Sequence, residues 1–376
     1  MRLTHLNAVR YRSLRDIDVD VATVNVLIGA NASGKSNVLD ALRFLSDGLH
    51  EGDFDSAVRD RGGMVHLAWK GEFADEVRLE AQFEDQDSCF TWTVELKKRA
   101  QGADVHERVS RTRNNRPLTL LESKAGRVWW RTAQAKDEKL ESTHRSTVCA
   151  LAEAAADESF EARSVAQFIG RWGFFDPSPN SLRRAASSND EGQLWTSGAN
   201  LAARLRNVRD VAPDRFERIR KATERILGVP SSLTFHESED GRVYFLQDEP
   251  GLKFPVHQVG ASSGTLRMLA LMTALYGEDA VTLVGIEEPE NYVHPRALRA
   301  FAEYLRDASE SVQLVITTHS PLLLDAFAKS GDVVVVRRTV QGTKLERVSD
   351  PARVDQALDE SGFGLGQFFE TQGFGA

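Results

Sequence analysis

Eight residues near the N-terminus, Gly29-Ala30-Asn31-Ala32-Ser33-Gly34-Lys35-Ser36, fit the pattern G-x-x-x-x-G-K-[ST] in full. Glycines there let the backbone turn its N–H groups toward an anion, and a helix starting at the end of the loop adds partial positive charge. Lys35 would reach the β- and γ-phosphates of a nucleotide, and the Ser36 hydroxyl would ligate Mg²⁺. ATP and Mg²⁺ are the ligands this predicts, with Asn31, Ala32, Ser33, Gly34 and Asn37 lying along the phosphates. A chance Gly-rich turn is the alternative. The apolar run Val24–Ile28 before the loop and the amphipathic run after it speak against that.

Three further groups stand downstream in a fixed order. Gly260-Ala261-Ser262-Ser263-Gly264-Thr265 precedes a run that is apolar nearly all round, Leu266 to Tyr276. Small residues at a helix start allow close approach of an anion, although a plain Gly/Ser cap reads the same way. Val281–Ile286 runs into Glu287-Glu288-Pro289-Glu290. The first carboxylate, Glu287, is a candidate for the metal, and the second, Glu288, for a general base acting on water. An acidic surface turn is the bland equivalent. Val312–Thr317 then ends in Thr318-His319-Ser320-Pro321, where His319 could contact a γ-phosphate or be structural.

The elements that position these groups are legible. Leu3–Val9, Ile17–Val21 and Val24–Ile28 read as strands, and Val38, Leu39, Leu42 and Leu45 place an apolar face on the helix after Gly34. Val65–Trp69, Val77–Phe83 and Phe90–Leu96 read as an antiparallel lobe. Residues 199–227 read as one or two Arg-rich helices, and Val281 to Thr317 as strand, helix, strand. Val333–Arg338 and Lys344–Val348 suggest a closing hairpin about Gln341-Gly342. Sustained heptads are absent, which excludes a long coiled coil.

In this order, the motifs resemble the ATPase heads of the ABC superfamily, in the RecF-like and SMC-like branch, close to the OLD-family ATPase domain. The resemblance rests on Asn25–Asn37, Ser262–Arg267, Glu287–Pro295 and Thr317–Pro321. It implies an α/β fold: a split P-loop ATPase head with an antiparallel β-lobe and an inserted mixed or helical subdomain. It also implies ATP hydrolysis and a head-to-head homodimer formed on ATP. Ser262, Ser263 and Gly264 would then face the partner's nucleotide, Asn291–His294 would cross the seam, and His319 would be the switch histidine. Arg12 matches an arginine that approaches phosphate in this branch, with a surface arginine as the alternative, and Tyr11 could touch adenine. The sequence departs from the pattern in three places. Glu287 replaces the usual Asp, Ser263 and Thr265 alter the signature, and only Gln82 and Gln86 offer themselves for the glutamine loop.

The remainder sets partner and compartment. The expected divisions are 1–96, the first half of the head; 97–230, a basic and helical insertion; and 231–376, the second half. The net charge of -8 disfavours nonspecific nucleic-acid coating, yet residues 97–145 hold 13 Lys plus Arg against 6 Asp plus Glu, a local +7. Lys97, Lys98, Arg99, Arg108, Arg111, Arg113 and Arg116, with Trp129-Trp130-Arg131, could bind DNA, dock an acidic protein, or form a solvated face. Repair, DNA-end sensing and phage defence fit the first of these. An ATPase switch gating a separate nuclease or toxin effector is the rival, and the 57 residues after His319 are too few for a fused nuclease domain. Cys89 and Cys149 lack metal-ligand spacing and read as free thiols. With no signal peptide and no run of about 18 apolar residues, a cytoplasmic protein without a membrane span is expected.

Overall fold

A computed structural model describes residues 1–71, 75–100, 102–133, 139–143, 145–229, 232–277, 281–348, 350–362 and 364–372. Positions 101, 134–138 and 144 of the basic stretch lie outside the described residues. The chain forms two compact units, Met1–Trp172 with Val334–Ser349, and Gly173–Val333 with Asp350–Ala376. Their limits fall after Trp172, Val333 and Ser349, whereas the sequence divides at 96/97 and 230/231.

In the first unit, an eight-stranded antiparallel sheet runs β2-β1-β4-β5-β6-β7-β8-β9. Its strands are β1 Arg2–Tyr11, β2 Leu14–Asp20, β4 Glu76–Asp85, β5 Ser88–Lys98, β6 Ala103–Arg113, β7 Arg116–Lys124, β8 Arg127–Arg131 and β9 Lys139–Thr143; β3, Val24–Ile28, lies outside this sheet. Alternation creates one buried face: Val77, Leu79, Ala81 and Phe83 on β4 stand beside Phe90, Trp92, Val94 and Leu96 on β5. Each such side chain taken from water contributes about 1.5–3 kcal/mol before entropy is counted. The same period continues through β6 at Ala103, Val105, Glu107 and Val109, all buried. The basic stretch that opens the expected helical insertion is therefore sheet, its rhythm hidden by a glutamate in an inward position. Val65–Trp69 is not a strand: Met64–Leu67 forms a single helical turn, and Ala68 then bridges to Tyr11. A short apolar run cannot declare its own period.

The phosphate-loop segment leads into the helix Lys35–Glu51, which buries Val38, Leu39, Leu42, Leu45 and Leu49 and stops at left-handed Gly52. In the second unit, β10 Trp172–Phe175 lies beside β15 Leu283–Glu287, and β15 pairs in parallel with β16 Gln313–Thr318. A small antiparallel sheet joins β11 Ala186–Ser187, β12 Ser232–Glu237, β13 Arg242–Asp248 and β14 Val256–His257. Helices Leu201–Val211 and Pro213–Leu227 fill the expected Arg-rich region, and Ser263–Tyr276 is buried from Thr265 onward. The hairpin β17 Val333–Thr339 and β18 Gly342–Arg347 returns to the first unit, with β17 next to β3. Among the described residues, no helix is long and apolar enough to cross a membrane.

The inward Glu107 is 2% exposed and accepts hydrogen bonds from Trp92 Nε1 (3.1 Å), Ala150 N (2.5 Å), Leu151 N (3.4 Å) and the Cys149 thiol (3.7 Å). Burial pushes its carboxyl up to about 7, against the pull of those donors. The folded chain therefore holds a proton there that the unfolded chain releases near its ordinary 4.5, so stability falls as pH rises from about 4.5 through about 7. Glu107→Gln is expected to remove about 3 kcal/mol of this pH dependence. Urea denaturation of both chains at pH 5 and pH 8 measures it; an unchanged difference between the chains would exclude Glu107 as its source.

Candidate functional site

The phosphate loop is shaped by positive φ angles at Ala32 (59°) and Gly34 (112°). A Cβ at Gly34 would stand 2.2 Å from Thr343 Oγ1, and one at Gly29 would stand 2.0 Å from the Val336 carbonyl oxygen. Only glycine satisfies both the angle and the space at position 34. Thr343 Oγ1 donates to Ser33 O (2.9 Å) and lies 2.7 Å from Ser13 Oγ, which accepts from Asn37 Nδ2 (2.6 Å). The loop is thus braced by β18. Lys35 is buried and its ammonium donates to Gly29 O (2.8 Å) and Ala30 O (3.1 Å). Ser33 Oγ is buried without a hydrogen-bond partner, and Asn31, Ala32 and Ser36 are exposed at the rim. An orphaned hydroxyl, left-handed turns and a lysine folded over its own loop are the donor set that a nucleotide's phosphates fit.

Arg12 sits beside this loop at φ 49°, with Nε 3.0 Å from Asp40 Oδ2 and its side chain partly exposed. Arg61 also pairs with Asp40 and with Asp47. Tyr11 is fully buried, and its hydroxyl donates to Asp40 Oδ2 at 2.5 Å. Burial and the Asp40 charge hold the phenol well above its ordinary pKa. Tyr11 therefore cannot face adenine: after inward Leu6 and Ala8, the left-handed Arg10 (φ 59°) shifts the alternation along β1 and turns Tyr11 into the core. A pocket of about 620 Å³ opens instead between Arg12, Ser13, His66, Trp69, Lys70 and Val340. Gln82 and Gln86 belong to the antiparallel sheet: Gln82 pairs with His5, and Gln86 makes the β4–β5 turn.

In the second unit, the parallel register sets Glu287 opposite Thr317, so the acidic end and the histidine end emerge side by side. Glu288 has φ 41°. Its N–H donates to Thr317 O (2.9 Å) and Oγ1 (3.2 Å). Its carboxylate accepts from Asn291 Nδ2 (2.8 Å) and lies 3.1 Å from His319 Nε2. Glu290 Oε1 receives Thr318 Oγ1 (2.8 Å) and the His319 N–H (2.6 Å), which fixes the histidine's backbone. His294 caps the helix Pro295–Ser309 through Nδ1. Glu288, Asn291 and His319, which the sequence singled out in separate roles, are thus brought together, and their geometry can orient a water at the free lone pairs of a carboxylate.

The signature residues start the helix Ser263–Tyr276. Ser262 Oγ caps it, accepting from Thr265 N (3.1 Å). Ser263 Oγ accepts from Arg183 Nη2 (3.0 Å), and a Cβ at Gly264 would stand 3.1 Å from Tyr292 O, so the loop through Tyr292 packs directly on the start of this helix. Sequence reasoning passes over Arg183, Gln258 and any role for Arg267; a lone arginine within an apolar helix is the signal for the last. Among the described residues, no group of three or more His, Cys, Asp or Glu could hold a metal. The Ser36 hydroxyl in the first unit and the Glu287 carboxylate in the second are each oxygen donors of the kind Mg²⁺ takes, and that ion keeps waters and phosphate oxygens in its shell rather than a protein cage.

The basic patch is altered by its own partners. Lys97 pairs with Glu76, Lys98 with Asp75, Arg99 with Asp104, Arg108 with Glu122 and Arg111 with Glu161. Trp130 is buried, donating to Asp157, and offers no stacking face. Arg113 and Arg116 face each other across the left-handed Asn114-Asn115 turn, and among the described residues no carboxylate pairs with either.

Known proteins resemble this chain in part of its sequence or in its fold. The chain is 28% identical over 120 residues to Endonuclease GajA of Bacillus cereus (strain HuB5-5), which covers 27% of the chain and 18% of that protein. It is 47% identical over 47 residues to the DNA replication and repair protein RecF of Lactobacillus acidophilus (strain ATCC 700396 / NCK56 / N2 / NCFM), 12% of each. The chain therefore spans under a fifth of either relative. In fold it is similar to the Smc head domain with an extended coiled coil, bound to the C-terminal domain of ScpA derived from Pyrococcus furiosus. There the TM-score is 0.57 at 13% identity, with 96% of this chain and 100% of that one covered. The family model "AAA domain, putative AbiEii toxin, Type IV TA system" matches residues 24–325. That match spans most of the chain, and the phosphate loop and the likeness in fold to an SMC head agree with it: the chain belongs to this AAA-domain ATPase family.

Proposed function

We propose that the chain binds and hydrolyses ATP, dimerises head to head on it, and uses the cycle to act on DNA in the cytoplasm. The observation that carries the reading is the Glu288–Asn291–His319 cluster in a chain that also holds a complete phosphate loop. Gly34, Lys35 and the neighbouring main-chain N–H groups bind the phosphates, and Arg12 approaches them. The nucleoside lies in the pocket walled by Trp69 and Val340. Ser36 and Glu287 would hold Mg²⁺, which neutralises charge on the phosphate oxygens when bound. Glu288 takes the proton of the attacking water, and Asn291 and His319 hold its carboxylate in place. His319 would exchange that contact for a γ-phosphate oxygen. Ser262, Ser263 and Gly264 of a second copy would close over the same phosphate, so hydrolysis loosens the dimer.

DNA contact falls to the β6–β7 turn with Arg113 and Arg116, since the ion-paired cations carry less field outward. A second reading, a switch that gates a separate nuclease or toxin effector, draws support from that same internal neutralisation and from the toxin wording of the family description.

Lys35→Ala is expected to weaken ATP binding at least tenfold, roughly the loss of a charge-assisted phosphate contact, as read by fluorescent-nucleotide titration. Glu288→Gln should bind ATP normally, turn over about a hundredfold more slowly and accumulate as a dimer in light scattering. Normal turnover would remove Glu288 as the base. Paired replacement of Arg113 and Arg116 by alanine should lower DNA affinity and reduce its salt slope by about two. If Glu288→Gln with ATP binds no DNA at low salt, the effector reading replaces the first.

A further inference from the structure

The helix Ser263–Tyr276 carries one charged residue, Arg267, and that residue is 1% exposed. Leucine or methionine would fill the position without desolvating a charge, and a guanidinium buried away from carboxylates costs stability. Asp176, its acidic partner, stands 3.9 Å away and is largely exposed. The guanidinium turns to main-chain carbonyls instead. Nη1 donates to Pro177 O, and Nη2 to Glu287 O and Glu288 O, both at 2.8 Å. Nε is buried without a partner. Such an arrangement is poor for stability and good for holding three backbone points in register.

One of those points is strained. Glu288 has φ 41°, a region that side chains rarely adopt and that persists only when neighbours enforce it. Thr317 holds its N–H and Arg267 holds its carbonyl. The segment Asp176–Arg184 ties the arrangement to the signature from the other side. Arg183 donates to Val259 O (3.1 Å), Ala261 O (3.3 Å) and Ser263 Oγ (3.0 Å). Gln258 Nε2 donates to Leu182 O (2.7 Å) and Arg184 O (3.0 Å). Loop, helix and acidic strand end are thereby joined through one buried cation.

We propose that Arg267 is a positioning residue that ties the signature helix to the backbone of Glu287 and Glu288. Closure of the signature on a second copy's nucleotide is then transmitted to the base in its own subunit. This rests on the reading of Glu288 as the base and of Ser262–Gly264 as the trans site.

The test uses the full chain, with Arg267→Met and Arg267→Lys beside wild type and Glu288→Gln. Melting temperature, ATP affinity, ATP-dependent dimer formation and kcat are measured for each. Arg267→Met is expected to bind ATP and dimerise as wild type does, while kcat falls by about tenfold or more. Arg267→Lys cannot span all three carbonyls with one nitrogen and should lose about fivefold in kcat at unchanged affinity. If Arg267→Met does not fold, the lysine variant decides by the same split. Wild-type kcat in the folded variants overturns the proposal. So does a fall in ATP affinity matching the fall in kcat, the mark of lost packing alone. Normal turnover by Glu288→Gln would instead remove the base reading, an outcome separable from any result at position 267.

Discussion

The parallel pairing of β15 with β16 is the constraint from which the chemistry of the second unit follows. Opposing Glu287 and Thr317 puts two strand ends at one level, and the residues after each end then have no choice but to meet. Glu288 is turned back by its left-handed backbone, the loop through Asn291 folds onto its carboxylate, and Glu290 reaches across to the His319 main chain. A slip of one residue in that register would turn Glu288 away and separate it from His319. The apolar residues of both strands, Leu283, Val284, Ile286, Leu314, Val315 and Ile316, are buried and hold the register.

The motifs and most of their supporting elements were legible because they obey local rules. The phosphate loop is a contiguous pattern, its strand is five residues with matching bounds, and the acidic and histidine ends close apolar strands of ordinary length. What was not legible depended on partners far away in sequence. The strands from β6 onward are disguised by Glu107, whose inward position makes sense only once Trp92 and the helix at Ala150 are beside it. Tyr11 looks like a base-stacking aromatic until Asp40 is placed against its hydroxyl. Arg267 and Arg183 make their contacts across about ninety and eighty residues of chain, beyond the reach of any spacing rule.

Charge illustrates the same point physically. A tally of +7 over residues 97–145 is a property of composition, but a surface presents a field only where cations lack nearby anions. Antiparallel pairing sets Glu76 opposite Lys97 and Glu122 opposite Arg108, each closing as an ion pair. Cross-strand complementarity converts much of a basic tract into sheet cohesion, while like charges stand together at two turns, Arg113 facing Arg116 across Asn114-Asn115 and Lys124 facing Arg127 across Ala125-Gly126.

The brace between Thr343 and the phosphate loop has a consequence for how the protein is made. Ser33 and Thr343 are 310 residues apart, yet the loop's carbonyl, the Ser13 hydroxyl and the close fit at Gly34 all depend on that threonine. A chain emerging from the ribosome completes its loop sequence early and its loop geometry only after β18, about three hundred residues later, has been released. The first unit thus stays open in the nascent chain until Gly173–Val333 of the second has been translated. Competence to grip a nucleotide arrives late, once the residues after Gly173–Val333 have joined those before it.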